Sequence, residues 1–189
     1  MVEPKDGVIV TGATGFLGTH LVKALEKQGW NVFAIGRDLL KGIELNSEST
    51  KFVYLDLTNR QQVHSELGEI TSNQNIHAII HCAALSSAWG KESDFIRNNV
   101  EATQHLLEAA QAISIQRFVF VSSTSVYFDF QDQFNISEDA PVARPFVNAY
   151  AKSKYLAERE VLKCKDAFET VIIRPRGLIG VGDPAIVPR

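Results

Sequence analysis

Val8-Ile9-Val10-Thr11-Gly12-Ala13-Thr14-Gly15-Phe16-Leu17-Gly18 is the stretch that decides how the chain folds. A β-branched run enters a turn with glycines at 12, 15 and 18. A helical pattern follows at once, with Leu17, Leu21, Ala24 and Leu25 on one face. A strand that turns on glycines into a helix directs free backbone N–H groups and the positive end of the helix dipole at one point. That point suits a pyrophosphate. Glycine is required because a Cβ would block the approach of phosphate to backbone, or of helix to strand. Gly12, Thr14, Gly15, Phe16, Leu17 and Gly18 are therefore the first candidate dinucleotide-binding residues.

Composition narrows the class. The 189 residues are 45% hydrophobic with a formal net charge of −3, which suits one soluble domain with a sizeable core. No basic excess points to nucleic acid, and no apolar run reaches the length of a membrane span. Residues 1–7 are polar and lead straight into the first strand, so no signal peptide is expected. Cys82 and Cys164 lack metal-like spacing, so both are expected to be reduced, with no bound metal, in a cytoplasmic protein.

Outward from the glycine turn, further strands are predicted at 31–35, 51–55, 77–81, 117–121 and 169–175, alternating with helical stretches. That order predicts an α/β fold with a doubly wound parallel sheet and right-handed crossovers. The second strand ends at Gly36-Arg37-Asp38, where dinucleotide folds usually carry an acidic ribose reader. A small residue beside an arginine instead leaves room for a 2′-phosphate and supplies its counter-charge. After the fourth strand, Ala83 and Ala84 keep the floor low for a flat cofactor, and His81 reads as a satisfied core histidine. Ser122, Ser123, Thr124 and Ser125 put four hydroxyls at the carboxyl end of the fifth strand, where open α/β sheets bind ligands. A long helix is predicted over 92–113, its buried stripe running Phe95, Asn99, Ala102, Leu106, Ala109, Ile113. Asn99 is the polar member of that stripe, and a buried amide must find partners. Tyr150 and Lys154 are one helical turn apart, on the face continued by Ala157 and Val161, so the pair points at the sheet. A lysine buried near a helix N-terminus is costly, and its charge would lower the tyrosine pKa into a range useful for acid/base work.

Thr11-Gly12-Ala13-Thr14-Gly15-Phe16-Leu17-Gly18, with Ser123 and Tyr150-x-x-x-Lys154 downstream, resembles the extended branch of the short-chain dehydrogenase/reductase superfamily. This branch holds nucleotide-sugar epimerases, dehydratases and 3β-hydroxysteroid-dehydrogenase-like enzymes with a Rossmann fold. The resemblance implies that Tyr150 is the acid/base, Lys154 its pKa tuner and ribose ligand, and Ser123 the substrate-oxygen positioner, with Thr124 as the neighbouring choice. It implies that Asn99, in Asn99-Val100-Glu101-Ala102-Thr103, helps order the lysine and a water. It also makes Asp56-Leu57 the adenine-contacting turn, and it aligns Ala83, Ala84 and Ser122 along the cofactor. Arg37 then favours NADP over NAD, with Asp38 as the ribose reader if NAD is used. Phe128 departs from the pattern, standing where the branch usually has glycine. Glu138-Asp139-Ala140-Pro141 resembles its Glu-x-x-Pro, in a loop over 128–147 expected to face substrate, and Arg174–Asp183 resembles its Arg-Pro turn and Gly-x-Gly-Asp.

The expected function is hydride transfer between a nicotinamide cofactor and a carbinol or ketone carbon. The alternatives are a nucleotide-sugar epimerase or dehydratase with tightly held NAD, and a non-catalytic dinucleotide-binding protein. The expected partner is a small molecule: a nucleotide sugar, a steroid-like compound or another hydroxy or keto compound. Residues 1–175 are expected to form the dinucleotide-binding domain, and 176–189 the start of a truncated substrate-binding region. Two copies would pair through the helices around 92–113 and 148–166.

Overall fold

The computed structural model describes residues 6–183. The polar lead-in before residue 6 and residues 184–189 of the expected substrate segment lie outside them. Six strands form one parallel sheet: β1 Gly7–Thr11, β2 Asn31–Gly36, β3 Thr50–Tyr54, β4 Ile76–His81, β5 Arg117–Val121 and β6 Glu169–Ile173. Their order is β3-β2-β1-β4-β5-β6, the doubly wound arrangement predicted from the alternation of elements. The chain reverses its direction of travel between β1 and β4, and Thr11 lies level with both Ile35 and His81 in the register. The carboxyl ends of β1, β2 and β4 thus reach one edge together, at the topological switch point where such sheets bind ligands.

Helices cover both faces. On one, Val8, Val10 and Ala34 pack with Val22 of α1 (Phe16–Lys27) and Leu45 beyond α2 (Leu39–Ile43). On the other, Ile9, Ile35, Ile79, Phe118 and Phe120 pack under α3 (Arg60–Asn73), α5 (Ala102–Ala112) and α6 (Ala149–Leu162). Successive residues of β1 feed opposite clusters, which is why that strand reads as an unbroken apolar run. No helix among the described residues is long and apolar enough to cross a membrane.

Two details differ from the sequence reading. The buried face of α1 is Gly18 and Val22 flanked by half-buried Leu21 and Leu25, while Ala24 is exposed. The turn lets the helix lie on its glycine, which rotates the stripe. The single helix over 92–113 is interrupted: α4 (Glu92–Phe95) passes through a π-helical turn, Ile96–Glu101, into α5. A π turn spreads its residues over a wider circle, so residues four apart remain nearly in line. Phe95 and Asn99 accordingly both stay buried, at 1% exposure.

Candidate active site

The glycine turn owes its shape to two close approaches. Gly12 has φ +67°, and a Cβ on it would lie 2.7 Å from the Ala83 backbone N. A Cβ on Gly18 would lie 2.1 Å from the Gly12 carbonyl oxygen, so α1 can rest on the turn only through glycine. Gly18 is therefore a packing glycine. Gly15 opens α1 without a side-chain cap, whereas the side-chain oxygens of Asp38, Asn59 and Asn148 accept from first-turn N–H groups of α2, α3 and α6. The first turn of α1, with half-buried Phe16 and Leu17, has no side-chain cap on its N–H groups, a geometry that suits an anion.

A cleft of about 430 Å³ runs from this turn along the carboxyl edge. Gly12, Thr14, Gly15, Gly36, Arg37, Asp56, Leu57, Ala83 and Ala84 all line it, as do Cys82, Leu85 and Asn98, which the sequence did not single out as site residues. At its far end the Asp56 carboxylate accepts from the Thr58 N–H at 2.9 Å and lies 3.7 Å from Arg37 Nη1. Burial pushes this carboxyl up, but the Thr58 N–H and hydroxyl, then Arg37 and Arg97, outweigh it and hold it below the usual range. Arg37 also donates to Asn98 Oδ1 at 3.3 Å, and Asp38 is engaged in capping α2. A Cβ on Gly36 would meet the Thr14 side chain at 2.9 Å, so the bare strand tip serves packing as well as space for a ligand.

Under the cleft lies a buried hydrogen-bond chain. Thr103 Oγ1 donates to the Asn99 carbonyl at 2.6 Å, so its one proton is used and His81 Nε2 must be the donor in their 2.9 Å bond. His81 Nδ1 is then an acceptor, taking the Thr11 hydroxyl proton at 2.6 Å, and Thr11 Oγ1 accepts from the Ala83 N–H at 3.3 Å. Burial, then the Lys154 charge, pushes His81 down to about 3, so the ring is neutral. His81 is a satisfied core histidine, as read from the sequence, and it also ties β1, β4 and α5 together.

Asn99 has a different set of partners from the expected one. Its side chain accepts from the Leu85 N–H at 2.6 Å and donates to the Leu85 carbonyl at 3.0 Å and to Ser153 Oγ at 2.8 Å. Ser153 in turn donates to the Tyr150 carbonyl at 2.8 Å. The amide thus staples the cleft loop to the helix of Tyr150 and Lys154, which it reaches through the Ser153 hydroxyl.

Tyr150 and Lys154 lie one turn apart on α6, whose Ala157 and Val161 are fully buried. Lys154 is 2% exposed, with Nζ 4.1 Å from the ring centre of Phe120 on β5. Burial pulls its ammonium down to about 8 against the opposing pull of Glu158. The Cys82 thiol is pushed up by burial to about 12, so it stays protonated. Ser123 caps a 3₁₀ turn, Thr124–Tyr127, and its Oγ shares a 2.8 Å bond with Ser125 Oγ. The Ser122 hydroxyl, buried at the end of β5, has no partner among the described residues. Among the described residues no hydrogen bond joins Ser123, Tyr150 and Lys154 to one another; α6 and the end of β5 bring them to one side of the sheet. The uncapped α1 turn, the narrow floor at Ala83 and the orphaned Ser122 hydroxyl fit a bound dinucleotide.

The model of the NAD dependent epimerase/dehydratase family matches residues 8–188. Human sterol-4-alpha-carboxylate 3-dehydrogenase, decarboxylating, is 33% identical over 184 residues, covering 95% of this chain and 46% of its own length. The 2-alkyl-3-oxoalkanoate reductase of Shewanella oneidensis is 33% identical over 190 residues, covering 95% and 46%. The structure of UDP-glucuronic acid 4-epimerase from Bacillus cereus in complex with NAD superposes with a TM-score of 0.74 at 29% identity, covering 90% of this chain and 56% of that one. The chain spans about half the length of the curated relatives it matches.

Proposed function

The chain belongs to the NAD dependent epimerase/dehydratase family, and from that premise we propose that it works as an NAD(P)-dependent oxidoreductase on a secondary alcohol or ketone. The observation that carries this reading is Lys154: an ammonium buried against β5, one turn from Tyr150 and beside the Ser123 turn. Burying such a group costs stability, and a perturbed, buried charge beside a cleft marks a candidate functional group.

When bound, the nicotinamide ring supplies or accepts the hydride. Gly12, Gly15 and the first turn of α1 hold the pyrophosphate, Ala83 and Ala84 the flat middle of the cofactor, and Asp56-Leu57 the adenine. Ser122, Tyr150 and Lys154 border the nicotinamide end. Tyr150 passes a proton to or from the substrate oxygen, Ser123 fixes that oxygen with its hydroxyl, and Lys154, one turn along α6, holds the cofactor ribose. Asn99 acts as a support for the loop and for α6. Arg37 at the ribose end, with Asp38 committed to capping α2, favours NADP over NAD. Residues 1–175 are the dinucleotide-binding domain in this reading, and 176–189 begin the substrate-binding region. The proposed setting is cytoplasmic, with a small-molecule substrate and two copies paired through the helices of 92–113 and 148–166. Light scattering on the full-length protein tests the pairing.

Tyr150→Phe decides the reaction. In the full-length protein, assayed with NADP⁺ and NAD⁺ against a panel of secondary alcohols and ketones, it should lower kcat by roughly 10²–10⁴-fold. Turnover at the wild-type rate would refute the assignment. Likeness to an NAD-bound 4-epimerase favours a second reading, in which cofactor is reduced and reoxidised within one turnover. Stoichiometric NAD retained through purification, with no net change in its oxidation state during turnover, would support that reading over the first.

A further inference from the structure

Glu158 stands one turn beyond Lys154 on α6, and both are buried, at 1% and 2% exposure. A lysine and a glutamate four apart on one helix, away from water, would ordinarily close on each other. Here the carboxylate faces elsewhere. Arg174, just past β6, donates from Nε to Oε1 and from Nη2 to Oε2, each at 2.8 Å. The remaining Nη1 donates to the Tyr127 hydroxyl and, at 2.9 Å, to the Glu138 carbonyl. Tyr127 also donates to that carbonyl at 3.0 Å, which pins the 128–147 loop to the turn Ser123 caps.

We propose that Arg174 is a positioning residue: by occupying both oxygens of Glu158 it keeps that carboxylate from pairing with Lys154, and with its third nitrogen it locks the loop against the Ser123 turn. The groups around Lys154 are Glu158 one turn on along α6, His81 and Cys82 from the end of β4, and the Phe120 ring from β5, with Tyr150 one turn back on α6. His81 is neutral and Cys82 protonated, so Glu158 is the negative charge that Arg174 has to divert. The depressed lysine agrees with this partition, since a paired buried lysine would move upward. The consequence for turnover rests on the oxidoreductase reading; the partition of charge does not.

The test therefore reads Lys154 directly. In full-length protein carrying ¹³C-lysine, the Lys154 ε-methylene signal is assigned by its loss in Lys154→Arg and titrated by NMR. Arg174→Gln should raise the Lys154 midpoint by roughly one pH unit or more, about tenfold in proton affinity, as freed Glu158 turns to it. Arg174→Gln/Glu158→Gln should bring the midpoint back to the wild-type value or below. A midpoint unmoved in Arg174→Gln overturns the proposal. Where Arg174→Gln does not fold, Arg174→Lys, which retains charge but loses the two-pronged grip, should raise the midpoint by a smaller amount, and no rise is again the refuting result. A wild-type enzyme without alcohol or ketone turnover, but with the titration shift intact, refutes the reaction and leaves this inference standing.

Discussion

Gly15→Ala separates what the phosphate cradle needs from what the fold needs. Gly15 has φ −85° and ψ 172°, extended backbone open to any residue, and it is exposed. A Cβ there would meet one atom within 4 Å, the Gly12 carbonyl oxygen at 3.2 Å, a contact relieved by a few tenths of an ångström. Alanine is a poorer helix N-cap than glycine by about 0.5–1 kcal/mol. The stiffer unfolded chain returns about 0.4–1 kcal/mol. The net change should stay within about 1 kcal/mol, or roughly 2–4 °C in melting temperature for a chain of this length. Binding should respond very differently. The methyl group sits at the mouth of the uncapped α1 turn, and displacing a pyrophosphate from one charge-assisted N–H bond costs about 1.5–3 kcal/mol, tenfold or more in Kd. Gly18→Ala is the contrasting control, because its Cβ would overlap Gly12 O at 2.1 Å and Ala13 Cα at 2.7 Å, all backbone. It should lower melting temperature and affinity together. Calorimetric titration with NADP⁺ and NAD⁺, beside thermal melts, reads both quantities. Wild-type affinity in Gly15→Ala would refute the cradle, and a collapse of its melting temperature would show that the glycine serves the fold.

Arg37→Asp should weaken NADP⁺ at least tenfold in calorimetry while sparing NAD⁺, since it removes the cation near the ribose end and adds a repelling carboxylate; equal losses for both cofactors would sink the NADP reading. Lys154→Met should melt at a higher temperature than the wild type at pH 7 while losing turnover. Folding moves this lysine from 10.5 to about 8, so below pH 8 its burial costs on the order of 3 kcal/mol, relieved as the pH rises from about 8 to 10.5. His81→Leu should destabilise by roughly 2–5 kcal/mol in urea unfolding, because the Thr11 and Thr103 hydroxyls lose their partner. Its pH signature follows from a pKa lowered from 6.5 to about 3: the unfolded chain binds the extra proton between those values. The histidine contribution is thus complete above about pH 6.5 and declines as the pH falls toward 3, and His81→Leu should flatten that decline.

Periodicity and glycine placement carried the fold. A buried parallel strand must be apolar on both faces, and a strand-to-helix turn over a neighbouring strand must omit Cβ atoms, so β1, β4 and the turn at Gly12 were legible from residue type alone. The Tyr150–Lys154 face was legible because four-residue spacing fixes a helix face whatever surrounds it. Pairings between distant segments were not. Arg174 with Glu158, or His81 with Thr11 and Thr103, depends on which side chains the sheet order makes neighbours, and spacing holds no record of that. The π turn escaped for a related reason: it preserves the apolar stripe that signals a helix while changing what Asn99 can reach.

These hidden pairings share a direction. From the Ala83 N–H, protons point through Thr11, His81 and Thr103 to the Asn99 carbonyl, and the Asn99 amide then points through Ser153 to the Tyr150 carbonyl. The floor of the cleft and the helix bearing Tyr150 and Lys154 are therefore ends of one set of hydrogen bonds, with the neutral histidine at its middle. A protonated His81 would face Thr11 with a donor where an acceptor is needed, and burial first, then the Lys154 charge, keeps the ring neutral. An apolar core at the same place would bury as much surface, yet it would leave the cleft loop and α6 free to shift past each other. Placing hydride donor, acceptor and proton carrier within bonding reach tolerates little such slack, on the order of 1 Å for a hundredfold in rate. The buried polar chain is thus the part of this fold that its proposed chemistry requires and that packing alone would not select.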